Sequence, residues 1–257
     1  MGAKSLKSKI VVVTCYDATF AKLCGNAGVI DFVLVGDSLG MVIAGESSTL
    51  SVTMDDMIFH TREVRRGLQS ASASSKPLLM ADLPAGTYVT PSQALTNAQL
   101  LRDAGADIIK VEGPCYDVVR ALTSSGFKVC AHIGLTPQSI QEFKVQGKTP
   151  EAAERLRTEA LELEEAGAEW IVFEMIPAEL ARSLTESLRI PTIGIGAGVG
   201  CSGQVLVLYD LLGLNPDFSP KFLRKFADGA GLVDSALKTF AQNVRDEQYP
   251  DRSHSFS

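Results

Sequence analysis

The feature that most constrains this chain is the rhythm of its apolar runs. Short stretches rich in Val, Ile and Leu recur at Ile10–Cys15, Asp31–Gly36, Pro77–Ala81, Asp107–Val111, Phe127–Ala131, Trp170–Phe173, Pro191–Ile195 and Gln204–Leu208. Most are continuous rather than alternating, the pattern of strands covered on both faces. Amphipathic stretches lie between many of them, at Pro91–Ala104, Glu151–Ala166 and Ala178–Leu188. In the second, Ala153, Leu156, Ala160 and Leu163 form one apolar stripe while Glu151, Arg155 and Glu162 face away, and Gly167 follows where a helix would stop. Strand alternating with helix implies parallel strands joined by right-handed crossovers. Eight such units in 257 residues fit a closed (β/α)8 TIM barrel, one domain spanning 1–257, better than an open sheet.

An internal echo supports the repeat. Ala104–Glu112 reads AGADIIKVE and Ala166–Glu174 reads AGAEWIVFE, each a helix stop, a strand and a terminal glutamate. A looser copy runs from Ala27-Gly28 to Asp37. The echo predicts Asp37, Glu112 and Glu174 at equivalent strand ends. The chain is 46% apolar and 21% charged, a globular balance. Its formal charge of −6 argues against nucleic acid and against an anionic membrane surface as partners. No apolar run approaches the roughly 20 residues of a membrane span. The five cysteines show no Cys-x-x-Cys spacing, and MGAKSLKSKI lacks the apolar core of a secretory signal, so free thiols in the cytoplasm are expected.

Barrel active sites lie at the C-terminal ends of the strands. The residues there are Tyr16-Asp17, Asp37-Ser38, Asp82, Glu112, His132, Glu174, Gly196-Ala197-Gly198 and Asp210. Residues i and i+2 of a strand share a face, so Lys110 points with Glu112. One ammonium cannot balance this many converging carboxylates, whereas a hard divalent cation can, and an all-oxygen set selects Mg2+ or a similar ion. Plainer readings stay open. Asp37-Ser38 could cap a helix, Asp82 and Glu112 could be turn or loop acids, and Lys110 could be an ordinary ion-paired lysine. His132 is either a satisfied core histidine or a substrate donor. Glu179, just after Pro177, reads as a first-turn acid complementing a helix dipole. Gly194-Ile195-Gly196-Ala197-Gly198 has the wrong spacing for a phosphate loop, and backbone close to a ligand or a turn at the barrel rim explains it as well.

Several segments taken together carry more than any one. Thr14-Cys15-Tyr16-Asp17, Val35-Gly36-Asp37-Ser38-Leu39-Gly40, His60-Thr61, Ala81-Asp82-Leu83-Pro84, Lys110-Val111-Glu112-Gly113, His132-Ile133-Gly134-Leu135-Thr136-Pro137-Gln138, Lys144-Val145-Gln146-Gly147 and the glycine-rich segment occur in this order, ahead of Tyr249-Pro250 and His254-Ser255-Phe256. With them the chain resembles the ketopantoate hydroxymethyltransferase family over nearly its whole length. The resemblance implies a barrel of the phosphoenolpyruvate/pyruvate-binding type. It implies Mg2+-dependent transfer of a hydroxymethyl group from 5,10-methylenetetrahydrofolate to 3-methyl-2-oxobutanoate, giving 2-dehydropantoate and tetrahydrofolate for pantothenate and coenzyme A biosynthesis. It implies metal ligation by Asp37, Asp82 and Glu112, substrate contacts from Asp37, Ser38, Asp82 and Lys110, Glu174 as proton acceptor, and a homodecamer. One departure stands out: Ile140-Gln141-Glu142-Phe143 takes the place of a Gly-Gly-aromatic insert usual before Lys144, a shorter loop expected to affect how the mouth closes.

Three rivals are weighed against this. One is another Mg2+-dependent barrel lyase or mutase acting on 2-oxo acids, although the Lys-Lys-Cys-Gly-His-like loop of such enzymes is not found. A second is a Schiff-base aldolase using Lys110. The third is a silent scaffold, whose natural mark would be the loss of a key carboxylate.

Overall fold

In the computed structural model, which describes residues 8–139 and 144–256, eight parallel strands close into a barrel in chain order. They are β1 (Ile10–Thr14), β2 (Phe32–Val35), β3 (Leu78–Asp82), β4 (Ile108–Glu112), β5 (Val129–Gly134), β6 (Trp170–Glu174), β7 (Thr192–Ile195) and β8 (Gly203–Leu206). Pairing of Ile10 with Gly203 closes the ring. Each strand falls on one of the apolar runs, trimmed or extended by a few residues. Between them run α1 (Ala18–Ala27), α2 (Leu39–Val42), α3 (Met54–Gln69), α4 (Pro91–Ala104), α5 (Tyr116–Ser124), α6 (Pro150–Glu165) and α7 (Ala178–Ser187). The termini have local causes. Thr90 and Thr149 accept N–H bonds from Gln93 and Ala152, and Pro91 and Pro150 open α4 and α6 with the backbone angle a first turn needs.

The strand period of two builds the interior. Ile10, Val12, Phe32, Leu34, Met80, Ile108, Cys130, Val172, Ile193 and Val205 all point inward and form one buried cluster. Burying each of the larger ones contributes about 1.5–3 kcal/mol to the barrel. The next inward position toward the C-terminal mouth is polar on four strands in a row. Asp82 follows Met80, Lys110 follows Ile108, His132 follows Cys130 and Glu174 follows Val172. The lumen is therefore dry below and charged at the mouth.

The chain divides into two compact units, Met1–Val207 and Leu208–Ser257. The first holds every strand of the barrel. The second holds α8 (Leu208–Leu211), α9 (Gly229–Arg245) and a 3-10 turn at Arg252–His254 capped by Asp251. No residue of α9 is buried, and Leu232, Leu237 and Phe240 are exposed along it. No helix among the described residues is long and apolar enough to cross a membrane.

Candidate active site

Register brings the site together. Parallel pairing sets Asp82 beside Lys110, Glu112 beside His132 and Gly134 beside Glu174. Gly134 has no alternative: its φ is +100°, and a Cβ there would lie 2.2 Å from the carbonyl oxygen of Glu174. Glu174 thus owes its place to a residue that can give it room.

Asp37, Asp82, Lys110, Glu112 and His132 are all buried. Lys110 Nζ donates to Asp82 Oδ1 at 2.6 Å, and the other oxygen of Asp82 accepts the Asp37 N–H at 3.1 Å. That bond ties the end of β2 to β3 and rules out the turn-acid reading of Asp82. Asp37 does not cap a helix either. Its Oδ2 accepts the side-chain amide of Gln138 at 2.8 Å. Ser38 occupies the N-cap position of α2 but makes no capping bond; its hydroxyl lies 2.8 Å from that of Tyr16. Glu112 Oε2 accepts the Gln138 N–H at 3.2 Å. His132, open between two readings in the sequence, stands between two acids, Nδ1 3.4 Å from Glu112 and Nε2 3.2 Å from Glu174. Neither contact has hydrogen-bond alignment.

The electrostatics follow from that crowding. Burial and the neighbouring Asp82 push the Asp37 carboxyl up to about 7, against the opposing pull of Lys110 and Gln138. Burial pushes Glu112 up to about 9, with Lys110 opposing and Asp37 and Asp82 adding to the rise. Burial alone would lower the Lys110 ammonium, but Asp82, Glu112 and Asp37 together outweigh it and hold the group above the ordinary lysine range. A lysine so firmly protonated is a poor amine nucleophile, which disfavours the Schiff-base reading. Burial and then the charge of Lys110 lower His132, so the ring is neutral near pH 7.

Three buried carboxylates with one ammonium are short of positive charge. No three His, Cys, Asp or Glu side chains among the described residues form a ready-made metal cage. The chemistry of the donor set nevertheless fits a hard cation. Its ligand atoms are all oxygens, and two of its acids hold protons tightly for want of a counter-charge.

Other sequence candidates are not brought into this group. Asp17 caps α1 through Phe20 N–H at 2.9 Å, and Asp210 lies within α8 rather than at a strand end. Gly196–Gly198 forms the turn after β7. Glu179 sits in the first turn of α7, 3.6 Å from Arg182, as a dipole acid should. The shortened loop Ile140–Phe143 lies outside the described residues. Sequence reasoning gave no role to Gln138 or Tyr88. Gln138 was visible only as part of the His132–Gln138 segment, and the partners of both lie 24 to 101 residues away in the chain.

Barrel and mouth together define a (β/α)8-barrel protein with its polar site at the C-terminal ends of the strands. Among solved structures, 2,3-dimethylmalate lyase, a PEP mutase/isocitrate lyase superfamily member, matches 99% of this chain and 89% of its own with TM-score 0.61 at 16% identity. Phosphonopyruvate hydrolase matches 97% and 87% with TM-score 0.62 at 12% identity. At such identities the likeness is one of fold. The family model for ketopantoate hydroxymethyltransferase matches residues 1–252, and the chain belongs to that family. A 3-methyl-2-oxobutanoate hydroxymethyltransferase of Nitrosomonas eutropha is 48% identical over 256 residues, covering 97% of this chain and 93% of the relative. One of Ralstonia nicotianae is 47% identical over 261 residues, covering 100% and 93%.

Proposed function

We propose that this chain is a 3-methyl-2-oxobutanoate hydroxymethyltransferase of pantothenate biosynthesis. The observation that carries the reading is a strand-end mouth of three buried carboxylates and one ammonium in a chain of this family. Asp37, Asp82 and Glu112 would hold a divalent ion such as Mg2+, which would supply Lewis-acid chemistry toward the substrate's keto group. The remaining work falls to the side chains. Lys110, aimed by Asp82, and Ser38, steadied by Tyr16, hold the carboxylate and the charge that develops on the substrate. Glu174 takes the proton from C3; its side chain is 16% exposed, open to the mouth where the others are sealed. The electron pair left at C3 forms the carbon–carbon bond to the methylene of 5,10-methylenetetrahydrofolate. Both carbon–nitrogen bonds of that methylene break, one replaced by the new carbon–carbon bond and the other by a bond to the oxygen of one water. The two folate nitrogens leave with their electrons and take up the C3 proton and one proton of the water. The family membership favours this transfer over the lyase or mutase reading.

The five cysteines are all free, which supports a reducing cytoplasm as the setting. The exposed apolar residues of α9 support association between copies of the chain, and sedimentation would measure whether the assembly is the homodecamer that the family resemblance implies. The decisive test is turnover of 3-methyl-2-oxobutanoate with 5,10-methylenetetrahydrofolate, with Mg2+ and with EDTA. Product is expected with the first and not with the second. Product undiminished by EDTA would remove the ion, and inactivation by borohydride with substrate would restore the Schiff-base route.

A further inference from the structure

The β3–β4 ladder stops one rung short at the site, and two side chains fill the gap. After Asp82 pairs with Lys110, the Leu83 N–H reaches the Lys110 carbonyl at 3.0 Å, so the next rung would join the Glu112 N–H to the Leu83 carbonyl. It does not form. The Glu112 N–H donates instead to the Tyr88 hydroxyl at 3.3 Å, and the Leu83 carbonyl accepts the Gln138 amide at 3.1 Å. Gln138 Nε2 spends its other proton on Asp37 Oδ2, and the backbone N–H of Gln138 goes to Glu112 Oε2. One residue in the loop after β5 therefore holds the carboxyl of Asp37, just past β2, and that of Glu112, at the end of β4.

The orientation of its amide is forced. The Leu83 carbonyl can only accept, so the NH2 must face it, and the same nitrogen lies against Asp37. Tyr88 receives the Glu112 N–H on its oxygen and donates its own proton to Gln138 Oε1 at 2.5 Å. Tyr88 is itself fixed by α4, where Asn97 donates to the Thr87 carbonyl and Gln93 to that of Gly86.

We propose that Gln138 is a positioning residue that sets the spacing of the Asp37 and Glu112 carboxylates for their cation, and that Tyr88 acts through it by fixing which end of the amide faces Asp37. The assignment rests on the ion reading given above. As neutral donors, the two hold the acids in place without supplying the charge that a cation would bring. An added lysine would compete with the ion; an amide does not. A cleft of about 200 Å3 lined by Gly86, Val89 and Ser139 opens onto the pair, so water can partly replace a lost bond.

The test uses Mn2+ alone as probe, titrated by electron paramagnetic resonance into the full chain without substrates. Gln138→Leu is expected to weaken Mn2+ binding by about 10–100-fold, the usual cost of losing a residue that orients metal ligands. Tyr88→Phe should weaken it by several-fold. The double variant should fall well short of additivity, because Tyr88 acts chiefly through the amide, its direct bond to the Glu112 backbone being the longer one. Tyr88→Phe leaves a full-sized ring in place, so it keeps the test alive if Gln138→Leu folds poorly. Mn2+ binding within twofold of the unaltered protein in Gln138→Leu, or full additivity in the double variant, would overturn the assignment while leaving the ion intact. Failure of the unaltered protein to bind Mn2+ would overturn the ion reading and this assignment with it.

Discussion

β4 and β6 are built to one pattern and end in different acids. Both follow a helix stopped by a glycine with positive φ, Gly105 and Gly167, and both stops are pinned from the preceding helix. Arg65 Nε donates to the Gly105 carbonyl at 2.8 Å, and the Thr123 hydroxyl donates to that of Ala166 at 3.0 Å. Both strands end in a glutamate near His132, and after each the chain turns left-handed. What differs is the company. Two residues before Glu112, on the same face, stands Lys110; at that place before Glu174 stands Val172. Glu112 is sealed and held by Gln138, while Glu174 keeps part of its side chain open to the mouth. The backbone device sets where an acid sits, and the residue two positions earlier sets what it can do. A sealed carboxylate beside an ammonium and amide donors suits ligation; a partly open one with no lysine on its own strand suits proton transfer.

The strongest way to break the comparison is to neutralise each acid in turn. Glu174→Gln should lower exchange of the substrate C3 proton with solvent deuterium by about 10^3-fold, within the range a general base contributes, and leave Mn2+ binding intact. Glu112→Gln should do the reverse first, weakening Mn2+ binding. Nuclear magnetic resonance of the substrate in D2O reads the exchange. Equal losses of exchange and of Mn2+ binding in both variants would show that the two acids do one job.

Next in size is Lys110→Met. The change leaves Asp82 buried without its ammonium, and breaking a buried pair from one side costs about 3–5 kcal/mol. Chemical denaturation without added metal should show it. Mg2+ should recover part of the loss, because the ion answers the same shortage of charge. A loss under about 1 kcal/mol would mean that Asp82 finds another partner or takes up a proton.

How far the sequence leads can be judged on these same residues. The strands were legible because apolar runs of four to six residues between helical stretches admit few folds. Lys110 and Glu112 could be put on one face because a strand has period two, and the repeat brought Glu174 to an equivalent place. Gln138 and Tyr88 were not legible. Their bonds join loops whose paths depend on barrel closure, and no local pattern in HIGLTPQ or GTYV tells that an amide will replace a ladder rung. His132 shows the same limit: its position was readable, but its two acid neighbours come from strands on either side.

A smaller effect should appear in the pH dependence of the metal-free protein. Asp37 and Glu112 hold protons in the folded state that the unfolded chain releases near pH 4. Their raised values therefore make stability greatest below about pH 4 on this account. It should fall as pH rises through about 7 for Asp37 and about 9 for Glu112. Each acid should account for a drop of at least about 1.4 kcal/mol, the worth of one pKa unit. Glu112→Gln should remove the part of the fall above about pH 7, and a fall unchanged in that variant would take Glu112 out of the cluster.

The residue after each glutamate gives the finest distinction. Gly113 follows Glu112 with φ +83°, and Met175 follows Glu174 with φ +46°. Glycine meets that conformation freely, whereas methionine is held in it at a cost of about 1–2 kcal/mol. Two bonds hold it there: the Met175 N–H donates to the Ile195 carbonyl, and its own carbonyl accepts the Gln146 N–H at 2.8 Å. The strain sits beside the proposed base and not beside the proposed ligand, as expected if Glu174 must be aimed more tightly than its burial alone would aim it. A Cβ at position 113 would meet no atom within 4 Å, so Gly113→Ala isolates the backbone term. It should cost about 1 kcal/mol, or roughly 2–4 °C in Tm for a chain of this size, with C3 exchange unchanged. Met175→Gly should release the strain, change Tm by less than that, and reduce exchange several-fold as Glu174 loses its fixed aim. If Met175→Gly left exchange untouched, the left-handed turn would be a feature of the barrel rim alone.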